Sequence, residues 1–427
     1  MNAPGELLRQ RRFLPLFVTQ FLGAMNDNVL KNAMIVLLTF EATAWTTLAP
    51  GILANLAAGI FILPFFLFSA TAGELADQRD KAWLARWIKA LELCIVLIAG
   101  LGFALRSLEI LMASLFLLGL HSTFFGPIKY AILPQHLKPE ELLAGNALIE
   151  AGTFLAILCG TLLGGLLAAL PGATGWISAA GFVIAVGGFL AARKIPAAVP
   201  PAPTLRVSRN PLAATLSILR EARRNPEVAR AIFGISWFWL YGAVFLAQLP
   251  GYAKTILGGE AASVTWLLVT FIAGIGAGSL LCERITRRRT ERRQTLVLAG
   301  AFGLGLFALD LSFASQSFAP PALAVDTLTL LRQPGMPRVL FDLTLIGLCG
   351  GLFTVPLYTR LQEASAPAER ARMIAANNIV NALLMVVGSL AAAALLAGGW
   401  AIPSLFALLG LITLLLAARM GWMRRLR

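Results

Sequence analysis

Stretches of roughly 20 apolar residues recur from one end of the chain to the other, each long enough to cross a bilayer core of about 30 Å. Short polar segments rich in arginine separate them. The pattern predicts twelve transmembrane helices, near residues 13–40, 47–71, 82–104, 108–133, 141–168, 174–193, 227–253, 262–282, 295–315, 339–360, 369–397 and 401–419. No segment alternates with period two, which excludes a transmembrane barrel. The first apolar stretch is too long for the core of a signal peptide, so it is expected to serve as an uncleaved anchor. The fold class expected is an all-α membrane protein.

Composition fixes the orientation. Only 13% of residues are charged, yet the net charge is +14. With the N-terminus inside, the cytoplasmic segments hold Arg9, Arg11 and Arg12, then Arg79, Lys81 and Arg86, the linker after Arg193, Arg284 to Arg293, Arg360, Arg370 and Arg372, and the tail from Arg419. The opposite loops keep Arg106, Lys254, Arg332 and Arg338. This is the positive-inside bias, and it places both termini in the cytoplasm. The charge therefore reports membrane orientation; a nucleic-acid partner would need a basic soluble module, and none is legible. Residues 194–226 carry Pro196, Pro200, Pro201, Pro203 and Pro211 among arginines and read as a cytoplasmic linker. Within it, Leu212 to Arg224 is expected to form an amphipathic helix on the anionic inner leaflet. The linker separates two six-helix bundles, residues 1–193 and 227–427.

The bundles echo one another. Phe124-Phe125-Gly126-Pro127 aligns with Phe353-Thr354-Val355-Pro356, and Gly145-Asn146-Ala147 with Ala376-Asn377-Asn378, at a separation of about 230 residues that suggests an internal duplication.

Candidate chemistry lies inside the spans. The first span carries Asn26-Asp27-Asn28 and Lys31-Asn32. A charge at bilayer depth costs roughly 2.5–3.5 kcal/mol, so such a stripe must face protein or a wet cavity. Asp27 and Lys31 are four residues apart and are expected to neutralise one another in part. They are either an ion pair that locks the helix or part of a substrate path. Glu92 is expected near the midplane, while Lys89 can snorkel toward the interface. Lys129, Tyr130 and Glu150 fall on spans four and five, and the second half offers the amides of Asn377, Asn378 and Asn381 with Tyr241 and Gln248. Asp310 has no evident role. Both signs of charge in one groove suit a zwitterion: Lys129 and Lys31 for a phosphate, Asp27 and Glu150 for an ammonium. The same carboxylates can instead carry coupling protons. Cys94, Cys159, Cys282 and Cys349 read as apolar packing residues, and His121 as a hydrogen-bonded interior residue. No nucleophile–base pair, metal set or phosphate loop is legible, so no enzyme and no cofactor are expected. Gly274, Gly276 and Gly278 read as close helix packing.

After span two, Gly73-Glu74-Leu75-Ala76-Asp77-Gln78-Arg79-Asp80-Lys81 resembles the loop between spans two and three of major facilitators. Gly73, Asp77 and Arg79 are the gating candidates: Asp77 caps the next helix or pairs with an arginine across the domain interface. The loop Cys282 to Arg289 is a degenerate counterpart. Gln20-Phe21-Leu22-Gly23-Ala24-Met25-Asn26-Asp27-Asn28, Gly126-Pro127-Ile128-Lys129-Tyr130-Ala131-Ile132-Leu133 and Asn146-Ala147-Leu148-Ile149-Glu150-Ala151 resemble the lysophospholipid transporter family. The resemblance implies a major facilitator fold with pseudo-twofold symmetry in the bacterial inner membrane. It implies movement of lysophosphatidylethanolamine-like lipids to the cytoplasmic leaflet for reacylation, by alternating access. The opening at Phe13 is similar to versions fused to acyltransferase and acyl-carrier-protein synthetase domains, so a separate acyltransferase is an implied partner. The competing readings are a proton-coupled exporter of hydrophobic cations and a non-transporting subunit of an acyltransferase system.

Overall fold

The computed structural model describes residues 4–40, 50–286, 291–318 and 324–425. Its described residues are helical apart from turns, the irregular linker stretch 195–210 and one isolated bridge between Gly259 and Val325. Among them, twelve long helices dominate: α1 (Leu14–Phe40), α2 (Pro50–Gln78), α3 (Lys81–Leu105), α4 (Leu108–Ala131), α5 (Leu142–Ala168), α6 (Ala173–Ala192), α7 (Pro226–Thr255), α8 (Ala261–Thr286), α9 (Arg292–Ala314), α10 (Met336–Ala364), α11 (Arg370–Ala397) and α12 (Ile402–Arg425). Local chemistry sets several boundaries. Asp80 accepts from the Trp83 amide at 2.8 Å to start α3, and Ser107 accepts from the Ile110 amide to start α4. Between them Arg106 takes a left-handed conformation, φ 51°, and its amide closes the end of α3.

Among the described residues, eleven helices are long and apolar enough to cross a membrane. Helix α1 is not one of them, despite its 27 residues, because Gln20, Asn26, Asp27, Asn28, Lys31 and Asn32 interrupt its apolar face. Large side chains on the outer faces, such as Trp87, Leu97, Leu166, Val183, Leu390 and Leu415, are exposed, as expected where lipid is the solvent. The protein is a multi-pass membrane protein.

The chain groups into two compact units. One comprises residues 1–145, 156–232 and 360–382; the other comprises 146–155, 233–359 and 383–427. In the first, α2 packs on α4, α6 on α1 and α3, and α3 on α4. Leu30, Met34, Ile95, Phe103 and Leu115 form its apolar core. In the second, α9 packs along α12, where Gly305 and Gly410 meet backbone to backbone. Gly274 and Gly278, one turn apart, admit the α10 carbonyls of Thr344 and Leu348. Gly276 faces open space, so only two of the three glycines expected to pack actually do so. Cys94 is exposed on α3 and is likewise not a packing residue; Cys282 and Cys349 are buried.

The linker is tied to the end of α2. The Ala202 amide donates to the Asp77 carbonyl (3.0 Å), Gln78 donates to the Leu205 carbonyl (2.6 Å), and the Ser208 amide to Glu74 (2.8 Å). The following helix, Pro211–Arg224, is capped by Asn210 and buries Ala214, Ile218 and Ala222, leaving Leu212 and Leu216 exposed. Gly73 to Gln78, read as loop, is the last part of α2: no helix breaker precedes Arg79, and the turn is confined to Arg79 and Asp80. Arg287 to Arg289, the end of the degenerate second loop, lie outside the described residues.

Candidate functional site

Three helices of the first unit bring a buried polar cluster together. Glu92 on α3 accepts from Lys89 Nζ at 2.5 Å, one turn earlier, and from Asn26 Nδ2 of α1 at 2.8 Å. From α4, His121 Nε2 lies 3.4 Å from the Glu92 carboxylate, and Nδ1 lies 4.0 Å from Asp27 Oδ1. Ser122 donates to Asp27 Oδ2. Lys89 and Glu92 are wholly buried, so Lys89 does not snorkel. Its short reach to Glu92, together with the Phe125 ring 5.4 Å away, holds the ammonium inside the bundle. Gly23 and Gly188 leave room for that stem, for a methyl at either would sit against it.

The expected ion pair between Asp27 and Lys31 is not formed. Among the described residues, no anion lies within 4 Å of Lys31, whose ammonium instead sits 5.0 Å over the Phe61 ring. Asp27 turns toward Ser122 and His121, and its Oδ1 has no hydrogen-bond donor. A single helix face thus carries a buried acceptor oxygen and a cation one turn apart that do not pair with each other. The neighbouring Asn28 donates to the Ala24 carbonyl (2.7 Å), and Asn32 to the Thr161 carbonyl (2.8 Å).

The remaining site candidates divide between the units. Lys129, Tyr130, Asn377, Asn378 and Asn381 belong to the first, Asn146 and Glu150 to the second. Lys129 Nζ lies 4.8 Å over the Tyr130 ring, and the Tyr130 carbonyl accepts from Gln362 at 3.0 Å. Asn377 is fully buried with neither amide atom hydrogen-bonded. Asn378 lies against Gly126, where a methyl would come within 2.6 Å of its amide nitrogen. Asn146 donates to Thr359 Oγ1 at 3.1 Å, and Glu150 is buried.

Of the gating candidates, Asp77 has a defined partner, but not the following helix, whose cap is Asp80. Asp77 accepts from the Ala371 amide (3.0 Å) and the Arg372 amide (3.1 Å), capping α11, and Arg372 Nε adds a 3.4 Å ion pair. Arg372 also holds Glu221 of the linker helix at 2.9 Å. Gly73 permits this: a Cβ there would stand 2.6 Å from Ala375 and 3.0 Å from the Arg372 backbone. Arg79 is exposed, and the arginine that meets Asp77 is Arg372.

Asp310 acquires a partner as well. Arg338, in the first turn of α10, grips its carboxylate with Nε (3.1 Å) and Nη2. The residues that sequence reasoning missed are Asn26, His121 and Ser122 as partners of the buried acids. A lone histidine in an apolar span was the available signal, but only its placement between two carboxylates gives it meaning.

The family model described as Major Facilitator Superfamily matches residues 16–331, well over half of the chain. Curated relatives include the lysophospholipid transporter LplT of Cronobacter sakazakii, 27% identical over 85% of this chain and 83% of the relative. The LplT of Escherichia coli is 27% identical over 96% of this chain and 95% of its own. Among solved structures, the human organic anion transporter MFSD10 superposes with a TM-score of 0.73 at 15% identity, over 95% of this chain and 99% of that one. A single-residue variant of the E. coli fucose:proton symporter FucP gives 0.67 at 16% identity, over 96% and 98%. Likeness at that level of identity concerns the fold, which is the all-helical transporter fold expected from the sequence. The chain belongs to the Major Facilitator Superfamily.

Proposed function

We propose that this protein is a lysophospholipid transporter that takes lysophosphatidylethanolamine-like lipids to the cytoplasmic leaflet for reacylation. The observation that carries the reading is the unpaired couple on α1. Asp27 Oδ1 has no hydrogen-bond donor, with His121 Nδ1 4.0 Å away, and Lys31 has no anion within 4 Å among the described residues. A zwitterionic headgroup satisfies both: its ammonium donates to Asp27, and its phosphate accepts from Lys31. Relatives named for lysophospholipid transport, matched over most of the chain, support the same substrate class.

The acyl chain has a physical reason to stay in hydrocarbon. Each methylene moved into water costs about 0.8 kcal/mol, so only the headgroup needs shelter. On this reading Lys129, Tyr130, Glu150, Asn146 and the asparagines of α11 line further parts of the headgroup path. The Asp77 cap of α11 serves as the cytoplasmic gate between two six-helix bundles, residues 1–193 and 227–427, joined by the 194–226 linker. The membrane is the bacterial inner membrane, both termini are cytoplasmic, and an acyltransferase consumes the delivered lipid.

Reconstitution tests the proposal. Labelled lysophosphatidylethanolamine in proteoliposomes is expected to move with the wild type. Lys31→Ala and Asp27→Asn each lose a charged hydrogen bond of about 1.5–3 kcal/mol, slowing transport roughly tenfold or more. Asp27→Asn should spare lysophosphatidylglycerol, which has no ammonium. Wild-type rates equal to those of protein-free vesicles would reject the function.

A further inference from the structure

The helix of the linker is fastened to the first unit where a spanning helix ends, and it still carries an uncovered apolar stripe. The chain reaches it along α2. Gln78, the last residue of that helix, donates to the Leu205 carbonyl at 2.6 Å, and Glu74, one turn deeper, accepts from the Ser208 amide at 2.8 Å. Asn210 then caps Pro211–Arg224, which packs on α2. At 3.6 residues per turn the helix divides into three stripes. Ala214, Ile218, Glu221 and Ala222 turn inward: the three apolar residues are buried, and Glu221 holds Arg372 at 2.9 Å. Ala213, Ser217, Arg220 and Arg224 form an exposed polar stripe. Leu212, Leu216 and Leu219, spaced four and three apart, form the third. Leu212 is 65% and Leu216 55% exposed, with Leu219 half-buried. A surface helix of a globular protein has one apolar stripe and buries it; here a second is left over.

Charge identifies what covers it. Arg223 closes the leucine stripe, Arg220 and Arg224 flank it, and Arg206 and Arg209 precede the helix. All five are exposed, and among the described residues none forms an ion pair. The one carboxylate of the helix, Glu221, is engaged with Arg372. Leucines beside long basic side chains suit a lipid–water interface, with the apolar side among acyl chains and the guanidinium groups at the phosphates. The bilayer around α2 is within reach, because two hydrogen bonds hold the linker to the final turns of that helix. We propose that Pro211–Arg224 is an interfacial helix whose leucine stripe enters the adjoining leaflet and whose arginines select anionic phospholipids there. Each basic side chain near such a surface adds to the attraction, so the seat strengthens with the negative charge of the leaflet. Glu221 and Arg372 tie the seated helix to the Asp77 cap of α11.

Photo-crosslinking of the full-length protein in lipid nanodiscs tests the seat. A photoreactive residue is placed in turn at Leu212, Leu216, Ala213 and Ser217, all exposed, so the fold is spared. In discs of phosphatidylethanolamine with phosphatidylglycerol, mass spectrometry is expected to find lipid adducts at positions 212 and 216 severalfold above those at 213 and 217. Phosphatidylglycerol is expected among them in excess of its share of the disc. That excess is expected to vanish when Arg220→Gln, Arg223→Gln and Arg224→Gln are combined. Equal yields at all four positions, protein–protein adducts in place of lipid at position 216, or phosphatidylglycerol recovered only at its share of the disc overturn the proposal. Both disc faces have one composition, so the result does not depend on which side the linker occupies. No transport is measured, so failure here is distinct from failure of the transport reading.

Discussion

Glu92 and Lys89 show how a single charge is tolerated inside the first unit. Each is wholly buried, and each has the other at 2.5 Å, with Asn26 and His121 completing the acid's surroundings. Removing one partner strands the other in an apolar medium, a loss of about 3–5 kcal/mol. Glu92→Gln is therefore expected to lower the melting temperature of the purified protein sharply. The double variant Glu92→Leu with Lys89→Met should recover most of it, since buried pairs are often replaceable by apolar residues. The spacing of three residues was visible in the chain, and so was the depth of Glu92. The snorkelling expected of Lys89 failed because partners from α1 and α4 fix its head inside, and no local pattern encodes those neighbours.

Helix ends were legible to within a few residues because apolar length, proline and capping side chains are local signals. The exceptions are the end of α12, which runs on to Arg425, and the last turns of α2. Their charge and glycine content looked like loop, yet the chain stays helical through Gln78, and Asp77 points its carboxylate at the first turn of α11. That contact joins residues 294 positions apart. Two backbone donors depend on it. Asp77→Ala should cost the cap about 0.5–2 kcal/mol, measured as earlier thermal unfolding, with Asp77→Asn less affected because one acceptor oxygen remains. Gly73→Val acts on the same joint by steric means, since even a Cβ stands 2.6 Å from Ala375. If the joint gates access from the cytoplasm, both variants should raise the labelling rate of a cysteine placed beside Asp77.

At the scale of the molecule, the distribution of arginine makes a prediction independent of packing. Reporter fusions within 194–226 and after Arg425 should read cytoplasmic, and fusions at Arg106 and Arg332 should read external; the opposite pattern would invert the topology. A further feature is how the charged side chains group within each unit. The first unit concentrates Asp27, Lys89, Glu92 and His121, while the second keeps Asp310, Arg338 and Asp342 together. Membership of the superfamily was foreshadowed by twelve apolar stretches and a repeated proline-amide pattern.

Periodicity, hydrophobic length and the placement of arginine were enough to determine that this chain spans a membrane many times, where its helices lie and which residues carry charge into them. These are properties of segments against a solvent, and each segment displays them alone. Which charges meet was decided only by tertiary structure. Asp27 turned from Lys31 to His121 and Ser122, Asp77 from the next helix to α11, and Arg338 to Asp310 rather than to Asp342. The reason is physical: an ionised group in a low-dielectric interior is governed by whatever lies within a few ångströms, and those neighbours arrive from distant parts of the chain.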